Sequence, residues 1–327
     1  MVAGVDFGDP DFAQSVRDGV ARVEDLIAAE LSGGDTLMTE VALHLFEAGG
    51  KRFRPLMTLL CAAFGDPDRD AVYDAATVVE LTHLATLYHD DVMDEAPIRR
   101  GRVSANQRWD NSVAILTGDF LFSRASDILA DLGPEAVRIQ ARTFERLVTG
   151  QIRETVGATD GEDAVAHHLM VLADKTGSLI ATSAQFGAMF SGCDQPTIDT
   201  LTRYGERIGV AFQLADDLVD LTSETRDSGK TPGTDLKEGV PTLAALMVQR
   251  EQRDQDARLL DLLGRPLSDD EVAEAMDLLR AHDAVAEARA AAHEWADDAR
   301  RCLHTLPAGG PRDALEAVCD YVVNRTG

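Results

Sequence analysis

Residues 78–94 read VVELTHLATLYHDDVMD, an apolar stretch that ends in three carboxylates. Val78, Leu81 and Ala85 recur at steps of three and four, the period of one helix face. Leu84 and Leu87 carry the apolar character up to Asp90. The same spacing runs through Phe12, Val16, Val20, Val23, Leu26 and Ile27, and through Ile208, Phe212, Ala215, Leu218 and Val219. Aromatic residues make up 5% of the chain, and no sustained apolar–polar alternation is bounded by hairpin dipeptides. Both facts favour helix over sheet. Breaks fall at Ser32–Asp35, Gly49-Gly50, Gly65–Asp68, Gly133-Pro134, Thr159–Gly161 and Gly309–Pro311. Asp35, Asp68 and Ser268 are placed to cap the helices that follow them. The stretch from Ser223 to Pro241 reads as a loop long enough to be functional. The expected fold is all-α, a single domain over residues 1–327 with about ten to thirteen helices.

Charge narrows the function. The 327 residues hold 31 Lys and Arg against 57 Asp and Glu, a formal charge of −26. Such a chain does not hold a nucleic-acid backbone by general attraction, so nucleic acid is excluded as an expected partner. Any anionic ligand needs local cations or bridging metal ions. Met1 to Ala13 contain Asp6, Asp9 and Asp11, with neither a basic nor an apolar leader region. No apolar run approaches bilayer-spanning length. Cys61, Cys193, Cys302 and Cys319 lie far apart without a CxxC pair, and read as reduced thiols of a cytoplasmic protein.

Two segments share the pattern DDxxD: Asp90-Asp91-Val92-Met93-Asp94 and Asp216-Asp217-Leu218-Val219-Asp220. With 38 Asp in the chain, chance alone gives roughly 0.5 such matches, so context carries the signal. Each motif continues an apolar helix, which sets repelling charges beside a core rather than on a solvated face. Asp90 and Asp94 are one turn apart, as are Asp216 and Asp220. Carboxylates so placed suit Mg²⁺, which takes oxygen ligands, keeps several waters and bridges to substrate phosphates. Zinc is disfavoured, because no His or Cys lies at ligand spacing within either motif. Only four lysines stand against 27 arginines: Lys51, Lys175, Lys230 and Lys237, each near Gly or Thr. Where Arg is the default cation, retained lysines hint at phosphate sites. Arg99-Arg100 follows the first motif closely and alone reads as a solvated turn.

These segments in this order resemble the trans-isoprenyl diphosphate synthases, also called polyprenyl synthetases. The matching run is Gly49-Gly50-Lys51-Arg52-Phe53-Arg54-Pro55, Glu80…His83, the first DDxxD, Arg99-Arg100-Gly101 and Gly118-Asp119-Phe120-Leu121. It continues with Lys175-Thr176, Phe212-Gln213, the second DDxxD and Gly229-Lys230…Gly233-Thr234-Asp235-Leu236. The resemblance implies a helical bundle around a large central cavity. It implies Mg²⁺-dependent head-to-tail condensation of an allylic diphosphate with isopentenyl diphosphate, with three Mg²⁺ per site once substrate is bound. It implies that Asp90, Asp94 and Asp216 bind the metals, with Asp91, Asp217 and Asp220 supporting. Arg99, Lys175 and Lys230 would touch the allylic diphosphate. Lys51, Arg54, His83 and Arg100 would hold isopentenyl diphosphate. Gln213 and the Thr176 carbonyl would face the allylic cation, and Lys175, Thr176 and Gln213 form the expected catalytic set. The family usually has a lysine after Asp-Leu-x-Glu-Gly, where this chain has Val240; Lys237 is placed to compensate.

Product length is read from Ala85 and Thr86, one turn before Asp90. Bulky aromatics there close the pocket in short-chain relatives. Small residues predict an open pocket and a product of roughly thirty to fifty carbons, suited to a quinone side chain. The alternatives are a short-chain farnesyl or geranylgeranyl synthase, a terpene cyclase, and a non-catalytic subunit of a two-component synthase. A repeated DDxxD with a second cationic site disfavours the cyclase, and two complete motifs disfavour the subunit. The resemblance further implies a homodimer and at most peripheral membrane contact.

Overall fold

The computed structural model describes residues 4–33, 35–222, 233, 236, 237 and 239–325. The described chain is helical almost throughout. In order the elements are α1 (Pro10–Leu31), α2 (Thr36–Glu47), α3 (Phe53–Ala62), α4 (Asp70–Met93), β1 (Ile98–Arg99), β2 (Arg102–Val103), α5 (Ala105–Arg108), α6 (Asn111–Leu132), α7 (Pro134–Val156) and α8 (Ala164–Leu172). A π-helical turn (Ala173–Gly177) leads into α9 (Ser178–Phe190), followed by α10 (Gln195–Thr222), α11 (Leu243–Glu251), α12 (Ala257–Leu263), α13 (Asp269–Arg280), α14 (Asp283–Leu303) and α15 (Gly310–Asn324). The antiparallel pair β1–β2, with Ile98 opposite Val103, is an addition that alternation does not show, because each strand is two residues long.

The helix starts follow capping chemistry. Asp35 accepts from Leu37 N at 2.8 Å at the head of α2. Glu271 accepts from Ser268 N at 2.9 Å to box the start of α13. Asp68 is a correction: α4 begins at Asp70 behind Arg69, which makes no side-chain cap bond. Asp68 sits too early to reach the first free amides. Asp9 caps α1 through Asp11 N and Phe12 N instead of leaving that end bare.

The described chain forms two compact units. The first comprises Met1–Phe144, Leu179–Gly205 and Cys302–Val318; the second comprises Glu145–Ser178, Glu206–Arg301 and Cys319–Gly327. In the first, α4 is buried on every side, through residues such as Val72, Val78, Val79, Leu81, Leu84, Ala85 and Tyr88. A helix enclosed in this way shows little amphipathicity, unlike α1, whose buried face is confined to residues such as Val16, Val23 and Ile27. Helices α1, α3 and α6 pack on α4. The Tyr88 hydroxyl donates to the Val41 carbonyl at 2.5 Å, tying α4 to α2. Helices α3 and α9 approach closely at Gly187, where a Cβ would stand 2.1 Å from the Thr58 carbonyl oxygen, so only glycine fits. The core of the second unit gathers Leu214 and Leu218 of α10 with Leu243, Val248, Leu262, Met276 and Ala288. No described helix is long and apolar enough to cross a membrane.

Candidate active site

The first acidic motif is the last turn of α4. Carboxylates there meet the negative end of the helix dipole, which costs each about 0.3–1 kcal/mol. A folded chain tolerates that where cations arrive. One is Arg99, whose Nε donates to Asp91 Oδ1 at 2.5 Å while its Nη2 lies 3.6 Å from Asp94 Oδ2. Asp91 is 0% exposed, and its backbone carbonyl accepts from Asn106 Nδ2 at 3.0 Å. Burial pushes the Asp91 carboxyl up, and Arg99 opposes the shift. Asp91 thus braces the turn, while Asp90 is half-buried and Asp94 exposed.

Beside this turn, within the same unit, the chain concentrates positive charge. Arg52 adopts a left-handed backbone (φ 47°), and its buried guanidinium donates to Glu24 at 2.8 Å and to Glu80 at 3.3 Å. Arg54 is pushed down to about 10, first by burial, with Glu80 opposing and Arg100 adding repulsion. Its Nε is enclosed without a hydrogen-bond partner. Arg100 is also left-handed (φ 51°) and donates from Nη1 to the Leu45 carbonyl at 3.0 Å. Gly50 makes room for it, since a Cβ there would lie 3.1 Å from the guanidinium carbon. His83 is held well below its ordinary value by burial and then by Arg54, Arg100, Arg99 and Arg52. The imidazole stays neutral, and of the four arginines around it Arg52 and Arg99 pair with carboxylates, whereas Arg54 and Arg100 make no carboxylate ion pair among the described residues. Like charges gathered in one place are costly unless an anion completes them. Lys51 stands exposed on the same loop.

In the second unit, Lys175 and Thr176 ride the π-helical turn, a distortion that concentrates at functional sites. Gly150 permits its close passage, since a Cβ there would be 2.6 Å from Lys175 N. Lys175 pairs with Glu154. The Thr176 hydroxyl donates to Gln213 Oε1 at 3.2 Å, and Gln213 Nε2 donates to Asp217 Oδ1 at 2.9 Å. A hydrogen-bonded row therefore runs from Thr176 on the π-helical turn through Gln213 to Asp217 of the second motif on α10. Asp217 Oδ2 also lies 3.9 Å from Nε2 of the buried His168, which burial and His167 push down to about 4. Asp216 is exposed and pairs at 3.2 Å with Arg325, whose guanidinium stacks 4.1 Å from the centre of the Phe212 ring.

Among the described residues, no three carboxylates, imidazoles or thiols converge on one point. The carboxylates of the two motifs offer oxygen donors, the kind that hard divalent cations take.

The sequence profile of the polyprenyl synthetase family matches residues 35–279. The chain belongs to this family. It is 53% identical, over 100% of its length and 98% of the relative's, to a nonaprenyl diphosphate synthase of Mycobacterium tuberculosis. Its fold matches a polyprenyl synthase from Caulobacter crescentus, solved with calcium and isoprenyl diphosphate, at a TM-score of 0.91 and 32% identity, covering 99% of both chains. It also matches a geranylgeranyl pyrophosphate synthase from Corynebacterium glutamicum, with the same ligands, at 0.88 and 44%, covering 99% of this chain and 100% of the other.

The polyprenyl synthetase match spans both aspartate motifs and the arginine-rich loop. Of the residues singled out from sequence, Arg54, His83, Arg99 and Arg100 cluster with Asp90–Asp94, and Lys175, Thr176 and Gln213 with Asp217. Lys230 lies outside the described residues. Lys237 is turned to Asp269 at 2.6 Å, both exposed. Val240 lines a cavity of about 70 Å³ with Glu154, His167, His168, Pro241 and Leu246. Sequence reasoning assigned no role to Arg52, His168 or Arg325. Arg52 stands inside the Gly49–Pro55 motif, but its partners Glu24 and Glu80 are each 28 residues away and nothing local marks them. Arg325, far along the chain, gave none.

Proposed function

We propose that the chain, a prenyltransferase by family, elongates an allylic diphosphate with isopentenyl diphosphate, and that the two compact units act as the one catalytic domain expected from sequence. The observation that carries this is the set of four arginines around His83 beside an aspartate-rich helix end. An enzyme that joins two diphosphates needs two anion sites of different kinds, and a cyclase needs one. Arg54, Arg100, Lys51 and neutral His83 seat the isopentenyl diphosphate, which must keep its diphosphate, so side-chain cations suffice. Asp90, Asp94 and Asp216, supported by Asp91, Asp217 and Asp220, serve the diphosphate that leaves. Magnesium, three ions in the loaded site, would neutralise that leaving group. Arg99, Lys175 and Lys230 add direct contacts to it. Gln213 and the Thr176 carbonyl direct oxygen dipoles at the allylic cation, and the released pyrophosphate takes the proton.

The apolar tail runs inward along α4, because residues before Asp90 are buried whereas Asp94 and Glu95 are exposed. Ala85 and half-buried Thr86 are the small residues on that path. They support a long product, as does the nonaprenyl relative. Exposed Ile115 and Leu116 on α6 and Val137 on α7 are apolar surface of the kind a second copy covers in a homodimer. This reading includes a cytoplasmic location with at most peripheral membrane contact. The test uses purified chain, Mg²⁺, an allylic primer and labelled isopentenyl diphosphate, with the products chromatographed. Labelled products of roughly thirty to fifty carbons are expected. Absence of any elongation would overturn the reaction, and a stop at fifteen or twenty carbons would overturn the open pocket.

A further inference from the structure

The first unit buries a polar cross-brace in its helical core. Gln140 of α7 donates from Nε2 to Thr82 Oγ1 of α4 at 2.8 Å, and Thr82 donates onward to the Val78 carbonyl. One turn further along α7, Thr143 meets Thr182 of α9 hydroxyl to hydroxyl at 2.5 Å. Gln140 is 8% exposed and Thr82 0%. The Gln140 carbonyl oxygen, Oε1, is buried without a hydrogen-bond partner. A leucine would fill this space without leaving an unsatisfied acceptor, so the amide stands where packing alone does not call for it.

Its position along α4 suggests why it is there. Thr82, Thr86, Asp90 and Asp94 recur every fourth residue and form one ridge. Thr82 is eight residues before Asp90, about 12 Å along the axis. A carbon chain covers that distance with two to three isoprene units, at about 5 Å per unit for ordinary bond lengths. We infer that Gln140 sets product length: its hydrogen bond to Thr82 is a polar bar that the growing tail meets at about the ten- to fifteen-carbon stage and displaces to grow further. A passing hydrocarbon offers neither donor nor acceptor. It leaves both groups unpaired, so elongation slows at that stage. The inference rests on the elongation reading and on the inward path along α4.

The test compares product distributions of wild type, Gln140→Leu, Thr82→Val and Gln140→Phe, with thermal midpoints measured alongside. In Gln140→Leu and Thr82→Val the bar is gone. The share of label stalled in products of fifteen carbons or fewer falls about fivefold, while addition of the first isoprene unit is unchanged. The two changes together add little to either alone, because they remove one bond. Gln140→Phe fills the passage and shifts label to ten and fifteen carbons. Elongation with the wild-type distribution in folded Gln140→Leu and Thr82→Val overturns the inference, whatever the fate of the Phe variant. A wild-type chain that adds no isoprene unit overturns the functional reading and this inference with it.

Discussion

Asp90→Ala and Asp94→Ala are each expected to lower kcat by about a thousandfold or more, equivalent to about 4 kcal/mol of transition-state stabilisation. Asp216→Ala belongs to the same class. Charge develops on the leaving diphosphate only as the bond breaks, so groups that answer it act on the rate more than on binding. The KM for isopentenyl diphosphate, which the proposed function assigns to the arginines, should be unchanged. Asp91→Ala is expected to differ. Asp91 is buried against Arg99, so its loss leaves that partly buried guanidinium with only Asp94, 3.6 Å away. The first consequence is lost stability of about 3 kcal/mol or more, seen as a lower thermal midpoint. Steady-state kinetics at saturating Mg²⁺, paired with thermal unfolding, separates the two classes. Near-normal turnover in Asp90→Ala would contradict the assignment.

Arg54→Met is expected to weaken isopentenyl diphosphate binding, raising its KM about tenfold to a hundredfold, and at the same time to raise the thermal midpoint of the free enzyme. The sign follows from burial. Arg54 is charged at neutral pH, but its folded value of about 10 lies below the ordinary 12.5. Folding therefore disfavours the charged form at every pH below about 10, and the penalty is relieved only above it. The magnitude is of order 3 kcal/mol, reduced by whatever packing methionine fails to recover. Glu80 is not stranded by the change, because Arg52 remains 3.3 Å away. A site that holds an anion keeps this instability in the empty state. Adding isopentenyl diphosphate should raise the midpoint of wild type and not that of the variant. A variant with a lowered midpoint and an unaltered KM would contradict both the charge imbalance and the site.

Periodicity made the helices legible, and cap chemistry located two of the three starts proposed for it. Asp68 misled because an Asp near a helix start is common in an acidic chain and only the backbone decides which residue precedes the first turn. The motifs located Arg54, His83 and Arg100 and the row from Thr176 to Asp217, since their chemistry and spacing are local. The remainder depends on distant helices meeting. Gln140 sits in α7, fifty-eight residues from Thr82, and a glutamine on a mixed helix carries no mark of burial. Arg325 reaches Asp216 and Phe212 from more than a hundred residues away. His168 reads as one more helical histidine until Asp217 is found beside it. Arg52 was visible as a cation but not as the partner of Glu24 and Glu80.

The most direct measurement is calorimetric titration of Mg²⁺ into the protein with and without an unreactive allylic thiodiphosphate, repeated for Asp90→Ala and Asp216→Ala. Saturable Mg²⁺ binding is expected only with the thiodiphosphate present, and it should vanish in both variants, because each motif supplies too few oxygens to hold the ions alone. Undiminished Mg²⁺ binding in either variant, or full-rate elongation by the wild type in chelator, would contradict the proposal that both motifs serve one leaving diphosphate.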